Sequence, residues 1–269
     1  MPELPEVETI KRELEPLVLN HLIERIEFSW PKTLRGLTIQ SFSKDVLDQE
    51  VVGLSRRGKY LILKLNNGRL LLVHFKMTGS FLAGDKNTPT PNHTRATITF
   101  KDGTRLFFVD PRKFGRFMLV SENDEPLSSL GDEPLSKRFT PDRLSELLSK
   151  RKSPIKIALL DQGLIAGIGN MYADEILFLS GIHPLRPANS LSRKEVEQLH
   201  QSIRLVLRRA ILNKGASVEN YFRPGGSKGK AHSEFNVAHR KGLCNRCRGM
   251  VERIVVRGRG TYFCPSCQH

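Results

Sequence analysis

The four cysteines constrain the fold of this chain more than any other feature. All of them lie in the last 26 residues, as two Cys-X-X-Cys pairs: Cys244, Cys247, Cys264 and Cys267. Each pair can hold a metal from one tight turn, and the apolar segments 251–256 and 261–263 predict a β-hairpin that closes the site. Four thiolates at this spacing indicate one tetrahedral, structural Zn²⁺. Two buried thiol pairs or an iron site are the alternatives, and His269 could replace a ligand.

A strong positive charge predicts a polyanionic partner. The 269 residues include 43 Lys and Arg against 28 Asp and Glu, a formal charge of +15, and 39% of them are hydrophobic, which is enough for a folded core. Seven basic residues and one acid, Glu252, fall within 240–269, so the zinc hairpin is expected to contact phosphates. Arg259, between two glycines at the expected turn, is either such a contact or an ordinary surface charge.

No apolar run is long enough for a membrane span, and the acidic first thirty residues do not resemble a signal peptide. The few clustered cysteines fit a reducing cytoplasm.

The first half of the chain is expected to form an antiparallel β-sandwich behind an amino-terminal helix. Val7, Ile10 and Leu14 recur at helical spacing after Pro5. From about residue 61, apolar residues alternate with polar ones, and the Asn-Gly and Asp-Gly pairs at 67–68 and 102–103 interrupt the alternation as hairpin turns do.

Helical patterns replace the alternation after about residue 131. They predict helices that begin at Thr140-Pro141, over 154–162, over 170–179, and from a capping box at Ser192 and Glu195 to about residue 215. The Gly-rich, polar stretch 216–241 is too long for an ordinary connection, which indicates a functional or mobile loop. The fold class is therefore α+β. Domains are expected at 1–131, at 132–239 with a loop over 216–239, and at 240–269.

The first six residues permit covalent catalysis by the chain's own amine. A small second residue allows removal of Met1, which would leave Pro2 as a secondary amine able to attack an aldehyde carbon. Glu3 and Glu6 are close enough in sequence to donate and accept protons. The alternative is that these acids only cap the first helix.

Five motifs, taken in order, resemble the formamidopyrimidine-DNA glycosylases, a family shared with endonuclease VIII. They are PELPEVET at 2–9, RGKYL at 57–61, DPRKFG at 110–115, GIGNMY at 167–172 and the terminal four-cysteine hairpin. Leu4 resembles the formamidopyrimidine branch, where the endonuclease VIII branch typically has glycine. Because the motifs span nearly the whole chain, the resemblance implies a bifunctional DNA glycosylase and abasic-site lyase. Such an enzyme removes oxidised purines through a Schiff base on the amino-terminal proline and then carries out β,δ-elimination.

The resemblance also implies roles for single residues. Glu3 would assist opening of the sugar ring as an acid, Lys59 would serve β-elimination, and Arg259 would serve δ-elimination. The gap left by the extruded nucleotide would be filled by Met77, Arg112 and Phe114. Further DNA contacts are implied for His74, His93, Arg151, Lys152 and Asn170, the last within a helix–two-turns–helix.

From the residues alone, other roles stay open. Lys59 could be a solvated strand end, Arg112 a surface charge, and Met77 and Phe114 core residues, although the turn-like sequence around Phe114 favours exposure. Both histidines could be structural.

One region departs from the family pattern. Where relatives normally carry Tyr-Gly, this chain has Ala238-His239, and 223–235 is unusually rich in Gly and Lys. Because this region covers the extruded base in relatives, the departure bears on the lesion preference. An endonuclease VIII-like enzyme for oxidised pyrimidines is one alternative, and a non-catalytic damaged-DNA-binding protein that keeps the zinc and helical modules is another. The expected partner is double-stranded DNA with oxidised bases or abasic sites, bound by a monomer at the bacterial nucleoid, without a membrane.

Overall fold

The computed structural model describes residues 1–217, 221–239 and 242–269. These residues divide into two units. The first comprises Met1–Ser129 and Asn213–His232, and the second comprises Leu130–Leu212 and Ser233–His269. The expected loop 216–239 and hairpin domain 240–269 each include residues outside the described ones, 218–220 and 240–241, and the predicted domain boundaries stay predictions.

The first unit contains two helices and two β-sheets, as the alternating pattern predicted. The helices are α1 (Leu4–Val18) and α2 (Ile39–Val46). The strands are β1 (Ile23–Glu27), β2 (Leu34–Arg35), β3 (Val51–Arg57), β4 (Tyr60–Leu65), β5 (Leu70–His74), β6 (Ser80–Gly84), β7 (Thr94–Phe100), β8 (Arg105–Val109) and β9 (Arg116–Val120). One sheet has the order β1-β7-β8-β6 and the other β2-β9-β5-β4-β3. The strand pairs are antiparallel except that the short β2 runs parallel to β9.

The core of this unit lies between the two sheets and under α1. Val7, Ile10 and Leu14 are fully buried on one stripe of α1, and the same cluster contains the inward residues of both sheets. Phe81, Phe108 and Phe117 pack edge to face, with ring centroids 5.0 to 6.1 Å apart. The fold class α+β and the β-sandwich are confirmed.

The second unit contains four helices and a three-stranded sheet. The helices are α3 (Pro141–Ser149), α4 (Ile155–Leu160), α5 (Asn170–Ser180) and α6 (Arg193–Leu212), and the strands are β10 (Gly242–Leu243), β11 (Met250–Val256) and β12 (Arg259–Phe263). The caps follow the sequence signals: the Thr140 hydroxyl accepts from the Arg143 N–H, and Ser192 and Glu195 bond to each other's backbone N–H. Gly181 ends α5 with φ 71°, in the left-handed region.

The hairpin turn between β11 and β12 lies earlier than the glycines suggested. Arg257 and Gly258 have φ of 45° and 75°, so they form the turn. Arg259 and Gly260 belong to β12 and pair with Val256 and Val255. A two-residue turn with both φ values positive matches the natural twist of paired strands, which explains why the strand begins at Arg259.

Within the described residues, no helix combines the length and the apolar composition needed to cross a lipid bilayer.

Candidate active site and nucleic-acid interface

The expected catalytic residues Pro2 and Glu3 are buried at the start of α1. Glu3 is the residue before the helix, and its backbone N–H donates to Glu6 Oε2 at 2.8 Å. Pro5 is tolerated in the first turn because the N–H it lacks has no helical partner there. The side chains of Glu3 and Glu6 are each about 1% exposed. The sequence therefore builds a buried pair of carboxylates beside the chain terminus.

Glu6 also binds a segment more than two hundred residues away. Its Oε1 accepts the backbone N–H of Ala216 at 2.7 Å, and the Tyr221 hydroxyl lies 3.5 Å from the Glu6 carbonyl oxygen. Burial, and then the nearby Glu6 carboxylate, raise the pKa of Tyr221. A Cβ on Gly215 would approach Glu6 to 2.8 Å, so glycine allows the close contact. The sequence did not predict this contact, because no pattern of neighbouring residues indicates a partner so far away in the chain.

Lys59 lies in the two-residue turn between β3 and β4. Gly58 has φ 55°, and Arg57 pairs with Tyr60 across the turn. Arg56 donates to the Gly58 carbonyl at 2.9 Å and to Glu8 of α1 at 3.3 Å, which ties the turn to the first helix. Lys59 is only 6% exposed, so it is not the solvated strand end that the residues alone allowed.

His74, at the end of β5, is a buried neutral imidazole. Its Nδ1 accepts the Lys76 backbone N–H at 2.9 Å, and its ring packs against Tyr60 with centroids 4.7 Å apart. Burial, followed by the charges of Lys76 and Lys59, lowers the pKa of His74 to about 3. With Nδ1 accepting, the proton of the neutral ring is on Nε2, which can donate a hydrogen bond.

The three residues expected to fill the DNA gap are exposed on two neighbouring loops. Met77 is 42% exposed and Phe114 43% exposed, so neither is a core residue. The Arg112 guanidinium lies 5.0 Å from the centre of the Phe114 ring, a cation–π distance. The exposure favoured by the sequence around Phe114 is confirmed.

A buried carboxylate, Asp110, joins these two loops. It accepts hydrogen bonds from the Thr78 hydroxyl and from the Gly115 N–H at 2.7 Å, while the Arg112 N–H donates to the Thr78 oxygen at 3.3 Å. A Cβ on Gly115 would lie 2.3 Å from the Phe108 ring, so this position requires glycine. The signal for Asp110 was present as the first residue of its DPRKFG motif, but Thr78 carries no signal in the sequence.

His93 lies beside the same loop but is exposed. Its backbone has φ 64°, its carbonyl accepts the Asp110 N–H at 3.0 Å, and its Nδ1 lies 3.4 Å from an Arg95 nitrogen.

In the second unit, Asn170 is the first residue of α5. Its side-chain nitrogen donates to the Gly260 carbonyl at 2.8 Å, whereas its Oδ1 is buried and has no partner among the described residues. Arg151 and Lys152 are exposed, and Arg151 lies 3.6 Å from Asp161. Arg259 is exposed next to the hairpin turn.

The four cysteines converge as the sequence predicted. Their Sγ atoms lie within 4.8 Å of one another, with 3.9 Å between Cys244 and Cys267 and 3.4 Å between Cys247 and Cys264. Tetrahedral zinc with Zn–S bonds of about 2.3 Å places sulfurs roughly 3.8 Å apart, so the cluster fits one zinc ion. The Gly249 N–H, 3.4 Å from the Cys247 sulfur, and the neighbouring thiols lower the pKa of Cys247 to about 7, whereas burial raises the pKa values of Cys264 and Cys267. The ring of His269 is not part of the cluster.

Two buried acids on α5 support the zinc hairpin and the segment before it. Asp174 pairs with Lys156 and accepts the Tyr262 N–H at 3.2 Å; burial raises the pKa of Asp174 to about 6, although Lys156 opposes this. Glu175 accepts the backbone N–H groups of 236, 237 and 238 at 2.8–2.9 Å. Sequence reasoning missed both acids, although two adjacent acids in an otherwise apolar helix are a usable signal.

At the departure from the family pattern, His239 has φ 58°, a conformation that favours glycine. Its ring lies 5.7 Å from that of Tyr262.

The comparisons with known proteins cover the whole chain. Residues 1–117 match the formamidopyrimidine-DNA glycosylase N-terminal domain, 130–221 match the H2TH domain of the same enzymes, and 243–269 match a zinc finger found in FPG and IleRS. Proteins named formamidopyrimidine-DNA glycosylase from Chloroflexus aurantiacus and Geobacillus kaustophilus are 42% and 41% identical over all of this chain, covering 98% and 100% of their own lengths.

Solved structures of the same family resemble this chain over nearly its whole length. The MutM (Fpg) protein of Thermus thermophilus superposes with a TM-score of 0.89 at 40% identity, over 99% of this chain and 98% of that one. The Lactococcus lactis Fpg in complex with DNA containing an abasic site gives 0.92 at 36% identity, over 99% of both chains. The fold and site thus define a zinc-finger DNA repair protein with an H2TH domain. The chain belongs to the formamidopyrimidine-DNA glycosylase family.

Proposed function

We propose that this protein excises oxidised purines, such as 8-oxoguanine and formamidopyrimidines, from duplex DNA and then cuts the strand at the abasic site. The observation that carries the proposal is the buried start of α1, where Pro2 stands beside the Glu3 carboxylate in a chain of this family. Relatives named for this activity match over their full length, and similar structures contain abasic-site or Fapy-dG DNA.

Pro2 is the nucleophile of the proposed reaction. Met1 is bonded to the Pro2 nitrogen in the described chain, so removal of Met1 produces the reactive secondary amine. The nitrogen lone pair attacks the anomeric carbon of the sugar, and the bond to the base breaks as the base leaves with the proton that the Pro2 nitrogen loses. Glu3 then gives its proton to the ring oxygen, the ring opens, and an iminium ion joins Pro2 to the sugar.

Strand cleavage follows from this iminium ion, because it withdraws electrons from the adjacent carbons. Loss of a proton from C2′ breaks the C3′–oxygen bond, and loss of a proton from C4′ then breaks the C5′–oxygen bond. We assign assistance of the first elimination to Lys59, whose turn is tied to α1 through Arg56, and assistance of the second to Arg259. Water finally hydrolyses the imine and restores Pro2.

The remaining predicted residues would hold the DNA. Met77, Arg112 and Phe114, exposed on the two loops joined by Asp110, would fill the gap left by the extruded nucleotide. His74 would donate from Nε2 to a phosphate, and His93, Arg151, Lys152 and Asn170 would add backbone contacts. The four cysteines would hold a zinc ion that stabilises the hairpin carrying Arg259, and with four thiolate ligands it would have no open position for chemistry. The bacterial relatives support action in the cytoplasm, and action at the nucleoid follows only from the proposed DNA substrate.

Borohydride trapping tests the proposal directly. Protein lacking Met1 is incubated with a duplex that contains 8-oxoguanine, and reduction of the iminium ion should leave a covalent protein–DNA adduct. Protein retaining Met1 is the matched control and should form none. Glu3→Gln should lose base excision but still form an adduct with a duplex that already has an abasic site.

Two outcomes would overturn parts of the proposal. Faster excision of thymine glycol than of 8-oxoguanine would favour an endonuclease VIII-like enzyme. No adduct with any abasic duplex would favour a DNA-binding protein without activity.

A further inference from the structure

The only tryptophan of the chain, Trp30, lies against the loop that carries Arg112 and Phe114. The ammonium group of Lys113, the residue between these two, lies 4.3 Å from the centre of the indole ring. Lys32 lies 5.7 Å from the same ring. At these distances both ammonium groups interact with the negative face of the indole, and Lys113 does so more closely.

Trp30 is itself anchored to the start of that loop. Its backbone N–H donates to the Arg95 carbonyl at 3.4 Å, and the Ser29 hydroxyl donates to the Thr94 carbonyl at 2.6 Å. The Arg95 side chain donates in turn to the Asp110 carbonyl at 2.9 Å. The backbone of Trp30 and the first residue of the loop, Asp110, are therefore both bonded to Arg95.

The backbone of Lys113 has an uncommon conformation. Its φ is 61°, in the left-handed region that residues other than glycine rarely adopt, and its side chain is exposed. Among the described residues no carboxylate forms an ion pair with Lys113. Its backbone N–H donates to the Asp110 carbonyl at 3.2 Å, its carbonyl accepts from Arg116 at 3.3 Å, and its ammonium group lies against the indole.

We propose that Trp30 is a positioning residue for lesion recognition. By holding the Lys113 side chain, the indole keeps the loop in the conformation that exposes Arg112 and Phe114, ready to enter the gap in the DNA. The inference rests on the proposed function, because it assumes that these two side chains fill that gap. A cation–π contact at an exposed site corresponds to about a two- to fivefold change in an equilibrium constant.

The test compares affinities for two duplexes of one sequence, with and without a tetrahydrofuran abasic analogue. Trp30→Leu and Lys113→Met should each lower the preference for the abasic duplex about two- to fivefold, and the double variant should lower it no further. Trp30→Phe, which keeps an aromatic face, should retain most of the preference. Lys44→Met, which removes one exposed charge on α2, is the matched control and should leave the ratio of the two affinities unchanged.

Tryptophan emission supplies a readout that a purely structural role would not change. Emission of Trp30 should shift when the abasic duplex binds, and Lys113→Met should reduce that shift. If Trp30→Leu does not fold, Trp30→Phe and Lys113→Met carry the comparison.

Effects of Trp30→Leu and Lys113→Met that multiply in the double variant, or an unchanged ratio, would overturn the inference. Borohydride trapping of the unaltered protein separates this failure from failure of the proposed function, because trapping tests Pro2 and does not depend on Trp30.

Discussion

Asp110 offers a quantitative test of how the two loops expected to fill the DNA gap are held together. It is 1% exposed and accepts from the Thr78 hydroxyl and the Gly115 N–H. In Asp110→Ala both donors lose their acceptor in a buried place, and the lost carboxyl group leaves a small void. An unsatisfied buried donor costs about 1–3 kcal/mol, so the free energy of unfolding should fall by roughly 3–5 kcal/mol.

Asp110→Asn is the matched variant, and the geometry makes it much milder. The amide oxygen can still accept from the Gly115 N–H, and the amide nitrogen can donate to the Thr78 oxygen once that hydroxyl rotates. Only the charge assistance is lost, at about 1 kcal/mol. Glu24→Ala, at an exposed position of β1, is the control and should change stability by less than about 0.5 kcal/mol.

Urea unfolding followed by Trp30 emission measures these differences, because the tryptophan lies in the same unit as Asp110. Binding to the abasic duplex measures the functional consequence, and the preference should fall in the same order as stability. Equal effects of alanine and asparagine, or an alanine variant within about 1 kcal/mol of the unaltered protein, would refute the reasoning.

Three further predictions concern pH, zinc and salt. Because the folded-state pKa of His74 is lowered to about 3, the unfolded chain binds the extra proton, so stability should fall as pH drops below about 6.5. When the pH is lowered from 7.5 to 5.5, the free energy of unfolding, followed by Trp30 emission, should fall by about 1 kcal/mol more in the unaltered protein than in His74→Gln. Equal decreases would contradict a buried neutral histidine. Native mass spectrometry should detect one zinc ion per chain, and chelation or Cys244→Ala should abolish both this zinc and DNA binding. Normal binding by the zinc-depleted protein would exclude a structural role. DNA affinity should fall steeply as the salt concentration rises. If Lys152 contacts one phosphate, Lys152→Met should make the slope of log binding constant against log salt concentration shallower by about 0.9. An unchanged slope would show that Lys152 does not contact the DNA.

Much of the fold could be predicted because its signals are local. The stripe on α1, the alternation of β4 and β5, the caps at Thr140 and Ser192, and the spacing of the cysteines all depend on residues within one turn or one hairpin. Steric preferences, capping and metal geometry act over that range and leave a readable pattern. The hairpin turn lies at Arg257 and Gly258 and not around Arg259 as expected, which shows the limit of such signals. The sequence offers two nearby glycines, and the twist of the paired strands determines which one lies in the turn.

What the amino-acid sequence determined by itself was therefore the elements, the zinc ligands and the family-type motif at Pro2 and Glu3. Only the tertiary structure decided how Glu6 meets Ala216, how Asp110 joins Thr78 to Gly115, and how Glu175 binds the segment before the hairpin. These contacts join residues far apart in the chain, and each satisfies a polar group that folding removes from water. These partners come within hydrogen-bonding distance only in the folded chain, because the polar groups lose their water only when the core forms around them. No pattern of neighbouring residues therefore predicts them.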